Sequence, residues 1–232
     1  MTITADHGYD DLPRLMSLMT GDEKHDFAAT STLDALWVLY DRVLDVTPER
    51  AGAPDRDRFL LSKGHGPMAY YAVLAAKGFV PEEWLPGFGS YDSPLGHHPD
   101  RVLVPGAEIG SGSLGHGLPL AVGSALGLRA QGLTGPGVWV LIGDAELDEG
   151  SNHEAIAYAG AAGLDRLHTV VVDNASASHA LPGGIAARFE AANWSTATVD
   201  GRDHAALYEA FTAPHPGRPH AVVARVEPKN AR

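Results

Sequence analysis

Four short, largely apolar segments, 138–142, 168–173, 196–199 and 221–226, alternate with helix-forming stretches through the second half of this 232-residue chain. Runs such as VWVLI and TVVV are short for a buried helix and do not alternate apolar with polar, so they read as strands covered on both faces. Strands of that kind, separated by helices, make a parallel sheet between two helical layers. The expected fold class is α/β: a three-layer α/β/α arrangement with a mainly parallel sheet.

Local signals mark the helices. Ser151-Asn152-His153-Glu154 has capping-box spacing at the start of the first intervening helix, and Gly163 ends it. A second helix spans 203–211. In the first half, Leu33, Leu36, Trp37, Tyr40 and Leu44 recur at a helical period over 31–44. A strand is expected at 59–61 before a sharp turn at Gly64, then a helix from near Pro67 to Gly78. Residues 80–116 are rich in proline and glycine and read as functional loop. Helix returns over 117–131. Residues 1–24 read as a polar leader with one short helix, and 25–232 as a single domain.

A net charge of −12 argues against nucleic acid or an anionic membrane as a general partner. It is compatible with a phosphorylated ligand, because a metal ion or a helix N-terminus supplies positive potential locally. The absence of cysteine excludes disulfides, thiolate catalysis and cysteine-ligated zinc. The twelve histidines fit no standard zinc spacing. The N-terminus lacks the basic and apolar regions of a signal peptide, and no stretch approaches a membrane span. A cytoplasmic location is expected.

Chemistry concentrates where two strands end. Asp144, in IGDAELDEG, follows the 138–142 strand, and Asp173-Asn174 closes the next one. A carboxylate and an amide then sit at the C-terminal tips of two neighbouring strands, the edge at which open α/β sheets bind ligands. Such oxygens suit a hard cation, Mg²⁺ with Ca²⁺ or Mn²⁺ as substitutes, whose other ligands are phosphate oxygens. Glu146, Asp148 and Glu149 form an acidic run that reads mostly as a solvated turn.

These segments resemble the transketolase family. GDA, about thirty residues, then Asn174 is similar to the GDG…N signature of thiamine diphosphate enzymes, with Ala145 in place of the third glycine. RDRFLLSKGHGPMAYYAVLAAKGF (56–79), PGAEIGSGSLGHGLPLAVGSALGL (105–128), GDAELDEGSNHEA (143–155) and WSTATVDGRD (194–203) resemble four family segments in order, and the likeness runs from about His25 to Arg225. It implies the thiamine-diphosphate-binding fold, with thiamine diphosphate and Mg²⁺ as cofactors. It places Asp144 and Asn174 on the metal, with Ser176 offering its main-chain carbonyl. Gly112, Ser113, Leu114, Gly143, Ala145 and His65 fall beside the cofactor. A methyl group at 145 is tolerated provided its φ stays negative.

His25, His65, His98 and His116 fall at catalytic or substrate positions, with His97 competing with His98 for the site. Imidazoles there would donate to sugar oxygens or relay protons. His116 stands where the family has glutamine, and the segment around His25 departs from Gly-His-Pro-Gly. Glu149 matches an acidic residue that reaches across a subunit interface. The resemblance covers the first part of a transketolase, so it implies one subunit of a split enzyme. A second subunit would carry the pyrimidine-binding and C-terminal domains, two copies of each chain would assemble, and this chain would be inactive alone. The implied reaction moves a two-carbon ketol unit from a ketose to an aldose. The alternatives are another thiamine-diphosphate transferase acting on a 2-oxo acid, or a non-catalytic scaffold subunit.

Overall fold

The computed structural model describes residues 7–20, 30–64, 67–178 and 182–229. Five strands form one sheet: β1 (Arg58–Leu61), β2 (Val138–Gly143), β3 (Leu167–Asp173), β4 (Ser195–Asp200) and β5 (His220–Arg225). Every pairing is parallel, in the order β1-β2-β3-β5-β4. Each strand lies within about a residue of the segment expected for it.

The sheet divides two apolar clusters, which explains the unbroken apolar runs. Trp139 and Leu141 of β2 join one cluster, while Val138, Val140 and Ile142 join the other. Successive side chains point to opposite faces, so a strand covered twice must be apolar at every position. All six residues of β2 are buried. β4, at the edge, is only partly buried and correspondingly richer in threonine.

One face carries α1 (Leu12–Ser17), α2 (Leu33–Val38), α3 (Met68–Ala76) and α7 (His204–Phe211). A π-helical turn, Leu39–Val43, extends α2 to the expected end of its periodic pattern. Eight of the nine residues of α3 are buried, as a helix that is apolar all round requires. The other face carries α4 (Gly117–Ala130), α5 (Gly150–Ala161) and α6 (Gly184–Glu190). Asp203 caps α7 by accepting from the Ala205 and Ala206 amides at 2.9 and 3.1 Å.

Two local expectations change. Within the stretch read as a polar leader, Leu12, Leu15 and Met19 make a helical stripe hidden among charges, and all three are buried in the main core. The capping box at Ser151 does not form. Glu149 takes the N-cap without a side-chain bond, and the Ser151 hydroxyl donates instead to the Gly115 carbonyl at 2.5 Å.

At the N-terminal edge of the sheet, His168 and His220 face each other as a β3–β5 pair. His168 stacks on Trp139 with ring centroids 4.0 Å apart, and His215 stacks on His220 at 4.9 Å. Burial holds the His168 imidazole well below its ordinary pKa, reinforced by His215, Arg166 and His220. Burial also lowers His220, opposed by its bond to the Ala210 carbonyl and reinforced by His215 and Arg218.

This packing can be tested at both ends of the sheet's apolar face. Replacing Leu15 by Ala removes a fully buried side chain and should cost roughly 2–5 kcal/mol in denaturant unfolding; a change near zero would show that α1 is a dispensable leader. The two depressed histidines mean that, as pH drops below about 6.5, the unfolded chain binds protons the folded chain refuses. Stability is therefore full above that pH and lost below it. Melting temperature should fall between pH 7.5 and 5.5, and less steeply in His168→Phe, which keeps the stack; parallel curves would refute the assignment.

Candidate functional site

Parallel pairing brings the two strand tips together. Gly143 lies opposite Val172, and the Asp144 amide donates to the Val172 carbonyl at 3.0 Å, continuing the ladder one step past β2. Asp144 and Asn174 are both buried, at 1% and 3% exposure. The Asp144 carboxylate accepts from the Ser176 hydroxyl at 2.6 Å, the Ser176 amide at 2.6 Å and the Ala177 amide at 3.0 Å. Ser176 thus reaches Asp144 with its side chain as well as its backbone, a role its resemblance-based position does not include. The Asn174 side-chain oxygen is buried and has no hydrogen-bond partner among the described residues. A buried acceptor without a donor is costly. A buried carboxylate and an unmet amide oxygen at adjoining strand tips are a donor set that fits a hard cation completed by phosphate oxygens. Among the described residues no cluster of three histidine or acidic side chains offers an alternative metal site.

Ala175, between them, adopts φ +54°, a left-handed conformation that non-glycine residues adopt only under constraint. Ala145 does not share that feature: among the described residues only Ala175 and Asn193 are non-glycine with positive φ. The methyl group in place of the third glycine therefore meets its condition.

Around this pair three loops meet: the turn after β1 (62–64), the glycine-rich loop (110–117) and the turn after β2 (143–149). Gly112 has φ +124°, and a Cβ there would collide with the His98 ring. His98 therefore lies directly on the loop of Gly112, Ser113 and Leu114, both of the latter exposed. Its Nδ1 is 2.6 Å from the His97 carbonyl, so the Nδ1–H tautomer donates there. His97 packs instead edge-on to Phe88 at 5.3 Å and against Gly89. Of the two competing histidines, His98 is the one the fold brings to the loop.

His116 turns back on its own loop. Its Nδ1 meets the Ser113 carbonyl and its Nε2 lies 3.1 Å from the Gly110 carbonyl, so both nitrogens have backbone partners. Glu149 is exposed, beside the close approach of Gly115. Asp148 accepts the Ser178 amide at 3.1 Å. His25 and His65 lie outside the described residues.

The reading of 146–149 as a solvated turn is corrected at Glu146, which is 1% exposed. Its carboxylate accepts from the Ser62 hydroxyl, the Gly115 amide at 2.9 Å and the Gly143 amide at 3.3 Å. Lys63 is another buried charge that the motif reading passed over. Burial pulls its ammonium down to about 8, with Asp144 and Glu146 opposing the shift. Its stem lies against Gly143, within 3.2 Å of where a Cβ would stand. Neither residue carried a local signal beyond a charge inside an apolar motif.

A cavity of about 850 Å³ opens beside this edge, lined in part by Asp34, Arg202, His204 and Lys229. The Lys229 amide joins it to the strand tips by donating to the Asn174 carbonyl at 2.8 Å. Asp34 is held there by Arg202 at 2.7 Å, His204 at 2.8 Å and the Tyr9 hydroxyl at 2.6 Å.

Comparison with known proteins agrees with this geometry. The family model for the transketolase thiamine diphosphate binding domain matches residues 18–225. A protein of Rhodococcoides fascians named ferredoxin fas2 is 56% identical over 97% of this chain and 74% of its own length. This chain has no cysteine to ligate an iron–sulfur cluster. One subunit of the apulose-4-phosphate transketolase of Actinobacillus succinogenes is 37% identical over 86% of this chain and 75% of its own length. A solved transketolase from Pichia stipitis superposes with a TM-score of 0.82 at 24% identity; the match covers 96% of this chain and 36% of that one. The chain belongs to the transketolase family, as its thiamine diphosphate-binding domain.

Proposed function

We propose that this chain is the diphosphate-binding subunit of a two-component transketolase-like enzyme that moves a two-carbon ketol unit from a ketose to an aldose-type acceptor. The observation that carries the reading is the buried Asp144–Asn174 pair at adjoining strand tips, with the Asn174 oxygen unmet. Several relatives are themselves named as single subunits of transketolases, which supports a second chain holding the rest of the site. Two copies of each chain would then assemble. No helix among the described residues is long and apolar enough to cross a membrane; a cytoplasmic location is part of this reading.

Asp144 and Asn174 would hold Mg²⁺, with the main chain at Ser176, and through it the diphosphate of thiamine diphosphate. When bound, that cofactor supplies the carbon centre that accepts and donates the two-carbon unit. The chain's own residues position and protect. Gly112 leaves room for the His98 ring to lie on the loop, and His98 would present an imidazole for a sugar hydroxyl or carbonyl oxygen. His25 and His65 are proposed for the same wall, and Glu149 for the contact between subunits.

The test is calorimetric titration of the chain, purified with its partner subunit, with thiamine diphosphate at saturating Mg²⁺. Asp144→Ala should weaken binding by more than the roughly 10–100-fold typical of losing an outer-shell group. Binding equal to wild type would reject the metal assignment. Asn174→Ala should remove a buried orphan oxygen and so leave melting temperature unchanged or raised while weakening cofactor binding; a lower melting temperature with normal binding would make Asn174 structural. Turnover by this chain alone would refute the two-component reading, and turnover of a 2-oxo acid in place of a ketose would move it to acyl transfer.

A further inference from the structure

We propose that Glu146 is a positioning residue whose buried carboxylate preforms the cofactor cradle by tying its three loops together. The proposal deepens the functional reading above and rests on it for the ligand's identity.

The three loops share no ladder of backbone hydrogen bonds. The turn at 62–64 follows β1, the loop at 110–117 leads into α4, and the turn at 143–146 follows β2. Glu146 reaches each of them. One carboxylate oxygen takes the Ser62 hydroxyl and the Gly115 amide, and the other takes the Gly143 amide. Ser62 then passes the connection on, because its Oγ accepts the Gly117 amide at 3.0 Å. That contact is close enough that a Cβ on Gly117 would collide with Ser62. The Glu146 backbone is itself fixed, its carbonyl accepting from the buried Asn152 side chain at 2.6 Å.

Gly117 opens α4, a helix of fourteen residues whose N-terminus carries partial positive charge. Such a terminus ordinarily attracts a ligand's phosphate. Here Glu146, through Ser62, meets that end from inside the protein. The glycine loop and the Asp144 turn are the two halves of the proposed cofactor site, and Glu146 joins them directly through the Gly115 and Gly143 amides and again through Ser62.

The test compares Glu146→Ala, Glu146→Gln and a core control, Phe211→Leu, in two measurements. The first is amide hydrogen exchange of residues 110–117 and 143 in the chain without cofactor. The second is calorimetric titration of the chain and its partner with thiamine diphosphate at saturating Mg²⁺. Glu146→Ala should speed exchange throughout those loops and raise the dissociation constant roughly 10–100-fold, the range seen when a group orienting metal ligands is lost. Glu146→Gln keeps an oxygen for Ser62 and Gly115 and loses the acceptor for Gly143. It should recover most of the affinity and protect 110–117, but leave residue 143 fast. Phe211→Leu should lower melting temperature without moving either readout. Wild-type exchange and affinity in Glu146→Ala would overturn the proposal, as would an equal loss in the core control. Should Glu146→Ala not fold, unchanged exchange at residue 143 in Glu146→Gln overturns it. A wild-type complex that binds no thiamine diphosphate would sink the functional reading, while the exchange data would still decide whether Glu146 ties the loops.

Discussion

The parallel pairing of β2 with β3 is the constraint from which the site follows. Because Gly143 lies opposite Val172, the next residues on both strands emerge side by side. Asp144 meets the amides of 176 and 177, and Asn174 is buried beside it. The register is fixed by the two-sided burial of both strands: shifting either by one residue would exchange the side chains offered to the two cores. Trp139 and Leu141 would then face the cluster built for Val138, Val140 and Ile142. Core packing thus sets the geometry of a polar site that contributes nothing apolar to it.

The same logic explains what could be read in the sequence. Strands buried on both faces announce themselves as unbroken apolar runs, and their ends are visible where polarity returns. Asp144 and Asn174 were legible for that reason, and so was the sheet. Glu146 was not. Its burial depends on Ser62, 84 residues away, and on Gly115, 31 residues away. Within 146–149 it looks like one of three equivalent acids, yet Glu149 is exposed while Glu146 is sealed. The core role of α1 was obscured differently, because Leu12 and Leu15 stand among aspartates and an arginine that point outward. Local composition there says polar while the helical spacing says buried, and spacing decides.

His98 and His116 show where motif position and chemistry part. Both occupy loop positions suited to a ligand. His98 lies over Gly112, whose positive φ and missing Cβ make room for it. His116 has both ring nitrogens beside carbonyl oxygens of its own loop. The ring in the glutamine position thus lies against the backbone of its own glycine loop.

Electrostatics ties these parts to a single requirement. The chain carries a net charge of −12, and its own carboxylate, Glu146, already serves the N-terminus of α4. A diphosphate at this edge would find the Gly117 amide already bonded to Ser62, and the buried Lys63 ammonium within the attraction of Asp144 and Glu146. What is left for it is the strand-tip pair, where an Asn174 oxygen lacks a donor. The divalent ion proposed for that pair would reverse the local sign and so favour a diphosphate. Such an ion would compete with the Ser176 and Ala177 donors for the Asp144 carboxylate, and the turn holding those donors contains Ala175 in its left-handed conformation. Asn174 and Ala175 share one short turn, and the donors that follow them hold the Asp144 carboxylate across from the neighbouring strand, so binding of the proposed ion would be coupled to the shape of residues 174–177.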